Sequence, residues 1–165
     1  MTIIGLDLSL TATGVATPDV LEIIATHPTG QPTDVIDRCA TIAARIHPHI
    51  EHADLIIIED LPPARANALK KLGKLHGVIE WHLAHVWGSN YRYLPPSTIK
   101  KLATGRGNAP KLEVIIAARE RLGLDVTDDN LADAAWLRVA GQHLAGDPDA
   151  PSLPKSHLAA LAKFR

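Results

Sequence analysis

The sequence predicts an α/β fold built on one mixed five-stranded sheet with helices packed against it. Three observations point there. Three short apolar segments rich in β-branched residues follow one another at the N-terminus, two further such segments alternate with helical patterns, and the last third of the chain is helical in its spacing. Consecutive strands can pair antiparallel, whereas strands separated by helices need right-handed parallel crossovers, so the sheet must be mixed. At 165 residues and 46% hydrophobic, the chain is sized for one domain.

Residues 2–8 (TIIGLDL) read as a buried strand in which Asp7, near the end, is out of place. Residues 11–17 and 20–26, joined across Pro18-Asp19, complete an antiparallel meander. From Thr33, a good N-cap, residues Val35, Ile36, Cys39, Ile42, Ala43 and Ile46 recur at helical spacing until Pro48 is expected to stop the helix. Residues 54–59 form a fourth strand, again apolar and again ending in an acid, Glu59. After Pro62-Pro63, residues 64–86 are helical, with Leu69, Leu72, Leu75, Val78 and Ile79 on one side. Gly73 and Gly77 would let that helix approach another backbone closely. Residues 91–94 make the fifth strand, ended by Pro95-Pro96. Ser97 is expected to cap a brief helix through residue 102, a glycine-bearing loop spans 104–110, an amphipathic helix spans 111–122, and a last core helix spans 128–144. Residues 1–145 are thus read as the domain. Residues 146–165, with three prolines and a short helix from Ser156, are read as a loosely docked tail.

The lone Cys39 rules out an internal disulfide and a cysteine-based zinc site, and its place on an apolar helical stripe makes it an inert core thiol. With no signal-peptide pattern and no apolar run of spanning length, the expected location is the cytoplasm, away from membranes. The net charge of −1 hides an asymmetry: between Arg65 and Arg121 lie 11 of the 17 Lys and Arg against three acids, a local +8, leaving −9 elsewhere. A basic middle in an acidic chain suits a polyanion while keeping carboxylates for other work; a solvated helical face is the plainer alternative.

Asp7 and Glu59 interrupt apolar strands at their ends, and Asp133 sits one turn into the last helix. Strand-end carboxylates in an α/β sheet project into the crevice at its carboxyl edge, where several acids repel one another unless divalent cations neutralise them. Hard oxygen donors without cysteine point to Mg²⁺ or Mn²⁺. Two such ions about 3.5–4 Å apart can activate a water, hold a scissile phosphate and stabilise the leaving oxygen.

These residues carry a family resemblance. Residues 5–14 (GLDLSLTATG) resemble the first motif of the RuvC-type Holliday-junction resolvases, members of the RNase H-like nuclease superfamily. Ile58-Glu59, then Asn67-Ala68-Leu69, Leu72-Gly73 and Gly77-Val78, resemble the second motif and the helix behind it. Residues 96–111, with Lys100 and TGRGNAPK at 104–111, resemble the basic lysine and glycine-loop segment, and Ala132-Asp133-Ala134 resembles the closing acidic motif. The matches fall in order over most of residues 3–140. The first motif also resembles the phosphate loop of actin-like ATPases and sugar kinases, which need two such domains, more than this chain supplies.

The resemblance implies an RNase H-like fold of a phage-type member and a dimeric endonuclease on branched DNA and four-way junctions. It implies two Mg²⁺ ions per site, replaceable by Mn²⁺, held by Asp7, Glu59, Asp133 and a fourth ligand one turn before the last acid. Asp129 and Asn130 both fit that spacing. Asp129 brings a charge, and it is free to do so if Thr127 or Asp128 caps the helix. Lys100 and Lys111 would contact phosphates, with Lys70, Lys74 and Arg106 as further DNA-binding residues. One departure stands out: where bacterial resolvases carry an aromatic wedge after the second acid, this chain has Asp60-Leu61-Pro62-Pro63, and only 4% of its residues are aromatic.

The remaining features point elsewhere. His82 and His85, and His47 and His49 around Pro48, are expected to be exposed or core-edge histidines and not metal ligands. Trp81, Trp87 and Trp136 are expected in the core or on a dimer face. Rival functions are a less selective nuclease for flaps, forks or hybrids, and a catalytically silent DNA-binding module.

Overall fold

The computed structural model describes residues 1–61, 66–88 and 90–164. Strands β1 (Ile3–Asp7), β2 (Ala12–Ala16) and β3 (Leu21–Ala25) are followed by helix α1 (Asp34–Ile50), strand β4 (Leu55–Glu59), helix α2 (Ala66–His82) with a π-helical turn (Leu83–Trp87), and strand β5 (Tyr91–Leu94). Helices α3 (Pro96–Thr104), α4 (Lys111–Leu122), α5 (Asp129–Ala145) and the short α6 (Lys155–Leu158) complete the chain, with a 3₁₀ turn at Ala159–Phe164. The sheet order is β3-β2-β1-β4-β5. Pairs β1/β2 and β2/β3 are antiparallel, and β1/β4 and β4/β5 are parallel, so the mixed five-stranded sheet is as the sequence predicts.

Alternation along the strands divides the core in two. Ile4, Leu6, Ile56 and Ile58 face α1 and α2, packing with Ile42, Ile46, Leu75 and Ile79. Ile3, Leu55 and Ile57 face the other side, packing with Leu102, Val114, Trp136 and Leu137 from α3, α4 and α5. Asp7 and Glu59 continue the second alternation and so emerge on the α5 side. Helix α5 lies unusually close to the sheet because glycines make room for it: a Cβ at Gly5 would meet the Ala134 carbonyl oxygen at 2.1 Å, and one at Gly14 the Asn130 carbonyl oxygen at 2.2 Å.

Several local expectations are corrected. Thr33 occupies the N-cap position of α1 but its side chain makes no cap. Asp34 instead accepts from the backbone N–H and hydroxyl of Thr29. Pro48 does not stop α1, which runs on to Ile50. Ile46 and Ile50 are both fully buried, and their packing holds the last turn although Pro48 donates no backbone bond. Ser97 is not the cap of α3. The helix starts two residues earlier than that cap implies, at Pro96, with Pro95 extended at the N-cap, because a proline in the first turn sacrifices no N–H bond and is already held near helical φ. Among the described residues, Gly73 and Gly77 approach no other backbone, since a Cβ at either would have open space around it.

The tail is not loosely docked. Leu153, Ala160 and Leu161 enter the α3–α4–α5 core. The buried His157 bonds through Nδ1 to the Leu102 carbonyl at 2.8 Å, and Arg92 donates to the Phe164 carbonyl at 3.0 Å.

Candidate functional site

The register that sets Leu6 beside Ile58 places Asp7 next to Glu59 at the carboxyl ends of two parallel strands. Across from them, Asp128 caps α5 by accepting from the N–H groups of Asn130 and Leu131. That leaves Asp129 uncommitted to capping, and one turn on, Asp133 faces the same space. Asp7, Glu59, Asp129, Asn130 and Asp133 line one cavity of about 260 Å³ with Lys100 and Lys111. The close seat of α5 on Gly5 and Gly14 brings its acids to the strand ends.

The β1–β2 turn that carries the first motif is tied down. Thr13, fully buried, donates to the Ser9 carbonyl at 2.6 Å and accepts the Ser9 N–H at 3.1 Å. Arg38 of α1 reaches the Leu10 carbonyl at 2.7 Å and the Thr26 hydroxyl at 2.9 Å, so the turn is braced from behind.

The acids are in electrostatic conflict. Burial, then Glu59, Asp133 and Asp129, push the Asp7 carboxyl up to about 8. Burial, then Asp133, push Glu59 up to about 7, against the pull of Lys100 and Lys111. Burial, then Asp129, push Asp133 up to about 6. A side-chain hydrogen bond with Asp7 favours the charged form of Glu59, and Lys111 forms a direct ion pair with Asp129. Through these two pairings the acids satisfy one another and a lysine. Among the described residues no three His, Cys, Asp or Glu side chains stand in a ready coordination cage. The donor set itself, buried oxygens whose charged forms are held back by one another, suits a hard divalent cation.

The basic residues divide. Lys100 and Lys111 line the acidic cavity. Arg106, on the glycine loop, pairs with Glu113. Lys70 is exposed on α2, and Lys74 lines a separate groove with Ile36, Gly77, Val78, Trp81 and His82. Asp60 lines the acidic cavity, while Pro62 and Pro63 lie outside the described residues.

His76 is a cavity residue that the sequence did not single out; on α2 it faces the acids together with Leu72. The other histidines take no part in this cavity: His49 pairs with Glu22 at 2.9 Å and His82 bonds the Val78 carbonyl at 2.8 Å. Cys39 is fully buried, and burial pushes its thiol up. Trp136 is fully buried and Trp81 is 55% exposed, whereas the side chain of Trp87 lies outside the described residues.

No family model matches the chain. A curated protein, the crossover junction endodeoxyribonuclease RuvC of Rhodopirellula baltica, is 32% identical over 79 residues, a match that takes in 47% of this chain and 44% of that protein. Among solved structures, Thermus thermophilus RuvC in complex with a Holliday junction substrate aligns with a TM-score of 0.69 at 24% identity, over 84% of this chain and 90% of that one. Another structure of Thermus thermophilus RuvC aligns with a TM-score of 0.68 at 22% identity, over 99% and 96% of the two chains. The fold is therefore the RNase H-like fold of RuvC. No helix among the described residues is long and apolar enough to cross a membrane.

Proposed function

We propose that this chain is a metal-dependent endonuclease that resolves four-way DNA junctions. The observation that carries the reading is the meeting of Asp7, Glu59, Asp129 and Asp133 with Lys100 and Lys111 in one cavity on a RuvC fold. The names of the similar proteins, one a crossover junction endodeoxyribonuclease and one bound to a Holliday junction, supply the substrate class.

In this reading the four carboxylates hold Mg²⁺, or Mn²⁺ in its place, two ions serving one site. The metal supplies an activated water and charge stabilisation for phosphodiester hydrolysis. The chain's own residues do the rest. Lys111 would leave Asp129 for a backbone phosphate, Lys100 would meet the same strand, and Asp7 would serve the metal as a carboxylate. A homodimer accompanies the reading, with the apolar groove between α1 and α2 as its face; Ile36 and Trp81, each at least half exposed, stand on it.

Cleavage of a mobile four-way junction is compared with that of linear duplex, with Mg²⁺ and with chelator. The expected result is Mg²⁺-dependent nicking near the branch, lost in Asp7→Asn and Asp133→Asn while junction binding persists. Equal cleavage of duplex would replace junction resolution with a less selective nuclease, and binding without any cleavage would make the chain a silent DNA-binding module.

A further inference from the structure

We propose that His76 is a substrate-contacting residue of this site, whose ring N–H donates to a backbone oxygen of the DNA strand held against the acids. The inference rests on the nuclease reading above and adds a residue outside the acidic and lysine motifs. His76 lines the cavity that holds Asp7, Glu59 and Lys100. Its side chain is only 7% exposed, and its face stacks on Tyr93 with ring centroids 5.8 Å apart and planes 22° from parallel. Tyr93 lies on β5, next to the strand that ends in Glu59.

A buried imidazole ordinarily satisfies both nitrogens within the protein. Among the described residues none bonds to the His76 ring, and the ring lines the cavity. Burial holds its protonation below the usual histidine range, although Asp60 and Glu80 pull the other way. The ring therefore offers one N–H donor and one lone pair without adding charge. A phosphodiester oxygen accepts but never donates, so the N–H is the matching half. The two lysines of the cavity attract a phosphate over a broad angle, and a stacked ring that cannot rotate freely fixes where it sits. This gives His76 a role in orienting the strand for cleavage and little in overall affinity.

The test uses the full chain with two variants. His76→Phe keeps a ring against Tyr93 and removes both nitrogens, and His76→Gln returns an amide donor. The measurements are single-turnover cleavage of a four-way junction in Mg²⁺, junction affinity in Ca²⁺, thermal stability, and Mn²⁺ affinity without DNA. His76→Phe is expected to slow cleavage by about 10- to 100-fold with junction affinity within about threefold of wild type. His76→Gln is expected to recover much of the rate. Wild-type cleavage by a folded His76→Phe overturns the proposal, as does a loss of Mn²⁺ affinity, which would make the ring a metal ligand instead. The ring ¹⁵N resonances of His76, recorded with and without junction in Ca²⁺, separate this proposal from the nuclease reading. A wild type that cleaves nothing ends that reading, while ring signals unmoved by bound DNA end the assignment of His76.

Discussion

Asp7 sits where burial and three neighbouring carboxylates all act in one direction, which makes it the residue most sensitive to pH. Its carboxyl titrates near 3.8 in the unfolded chain and is raised to about 8 in the fold, so between those values the folded protein binds the extra proton. Stability contributed by that proton is complete below the unfolded value and is lost as pH rises through the folded one. Without divalent metal, melting temperature should therefore fall as pH rises from about 4 to about 8. Asp7→Asn should flatten the fall, and Mg²⁺ should reverse it in wild type more than in the variant. A metal-free melting temperature independent of pH over that window would mean that the acids are better hydrated than their burial indicates. A second residue-scale expectation concerns the fourth ligand. Asp129 carries charge and is free of capping duty, whereas the Asn130 backbone is pressed against Gly14 and its side chain brings no charge. Asp129→Asn should impair single-turnover cleavage severely across a Mg²⁺ titration and Asn130→Ala only mildly. The reverse ranking would move the ligand to Asn130.

Helix α5 sets the site through its distance from the sheet, so the glycines beneath it are structural determinants of function. Gly14→Ala or Gly5→Ala would drive a methyl into a backbone carbonyl and should cost about 3 kcal/mol or more, read as a lowered denaturant midpoint. Gly77→Ala meets open space within the chain and should stabilise the monomer fold by about 0.5–1 kcal/mol. A dimer lost in that variant would show that the open face is where two copies approach. The C-terminal segment acts on another element of the site. The ring of His157 lies against Gly105, the left-handed cap of α3 (φ +83°), and bonds the Leu102 carbonyl, so it backs the loop between Lys100 and Lys111. His157→Ala should weaken junction binding several-fold, and His157→Asn, whose amide can replace the Nδ1 donor, should restore it; equal binding by both variants would detach the tail from the loop. Asp7 and Glu59, which the fold brings into one cavity with Asp133, stood out in the sequence because a charge in an apolar strand conflicts with its surroundings, whereas Asp133 stood out through its motif. His76 was not, because a polar residue between Leu75 and Gly77 looks ordinary until the rotation of α2 against the sheet is known. The docking of the tail escaped for a similar reason: prolines hide periodicity, and Leu153, Ala160 and Leu161 share a face only once the chain has turned.

At the scale of the molecule, a chain of net charge −1 can hold a polyanion only by segregating its charge, and the fold does so unevenly. The +8 read along the sequence is spread in space: Arg106 is paired with Glu113, Lys74 lies on the α1–α2 groove, and among the described residues only Lys100 and Lys111 bring a positive charge to the acidic cavity. Junction affinity should then depend on salt less steeply than a count of basic residues implies, with Lys111 a main contributor. Each phosphate neutralised adds about 0.9 to the slope of log affinity against log salt, so Lys111→Met should flatten that slope by about one and weaken binding at low salt. Lys74→Met, on the other face, should leave the slope unchanged. Lys111 starts paired with Asp129 and must leave it to reach DNA. A titration of junction binding from low to moderate salt that gives Lys111→Met the wild-type slope would mean that Lys111 stays with Asp129 in the complex. Its part would then be to hold the acids together, and the phosphate contacts would fall to Lys100 and to residues outside the cavity.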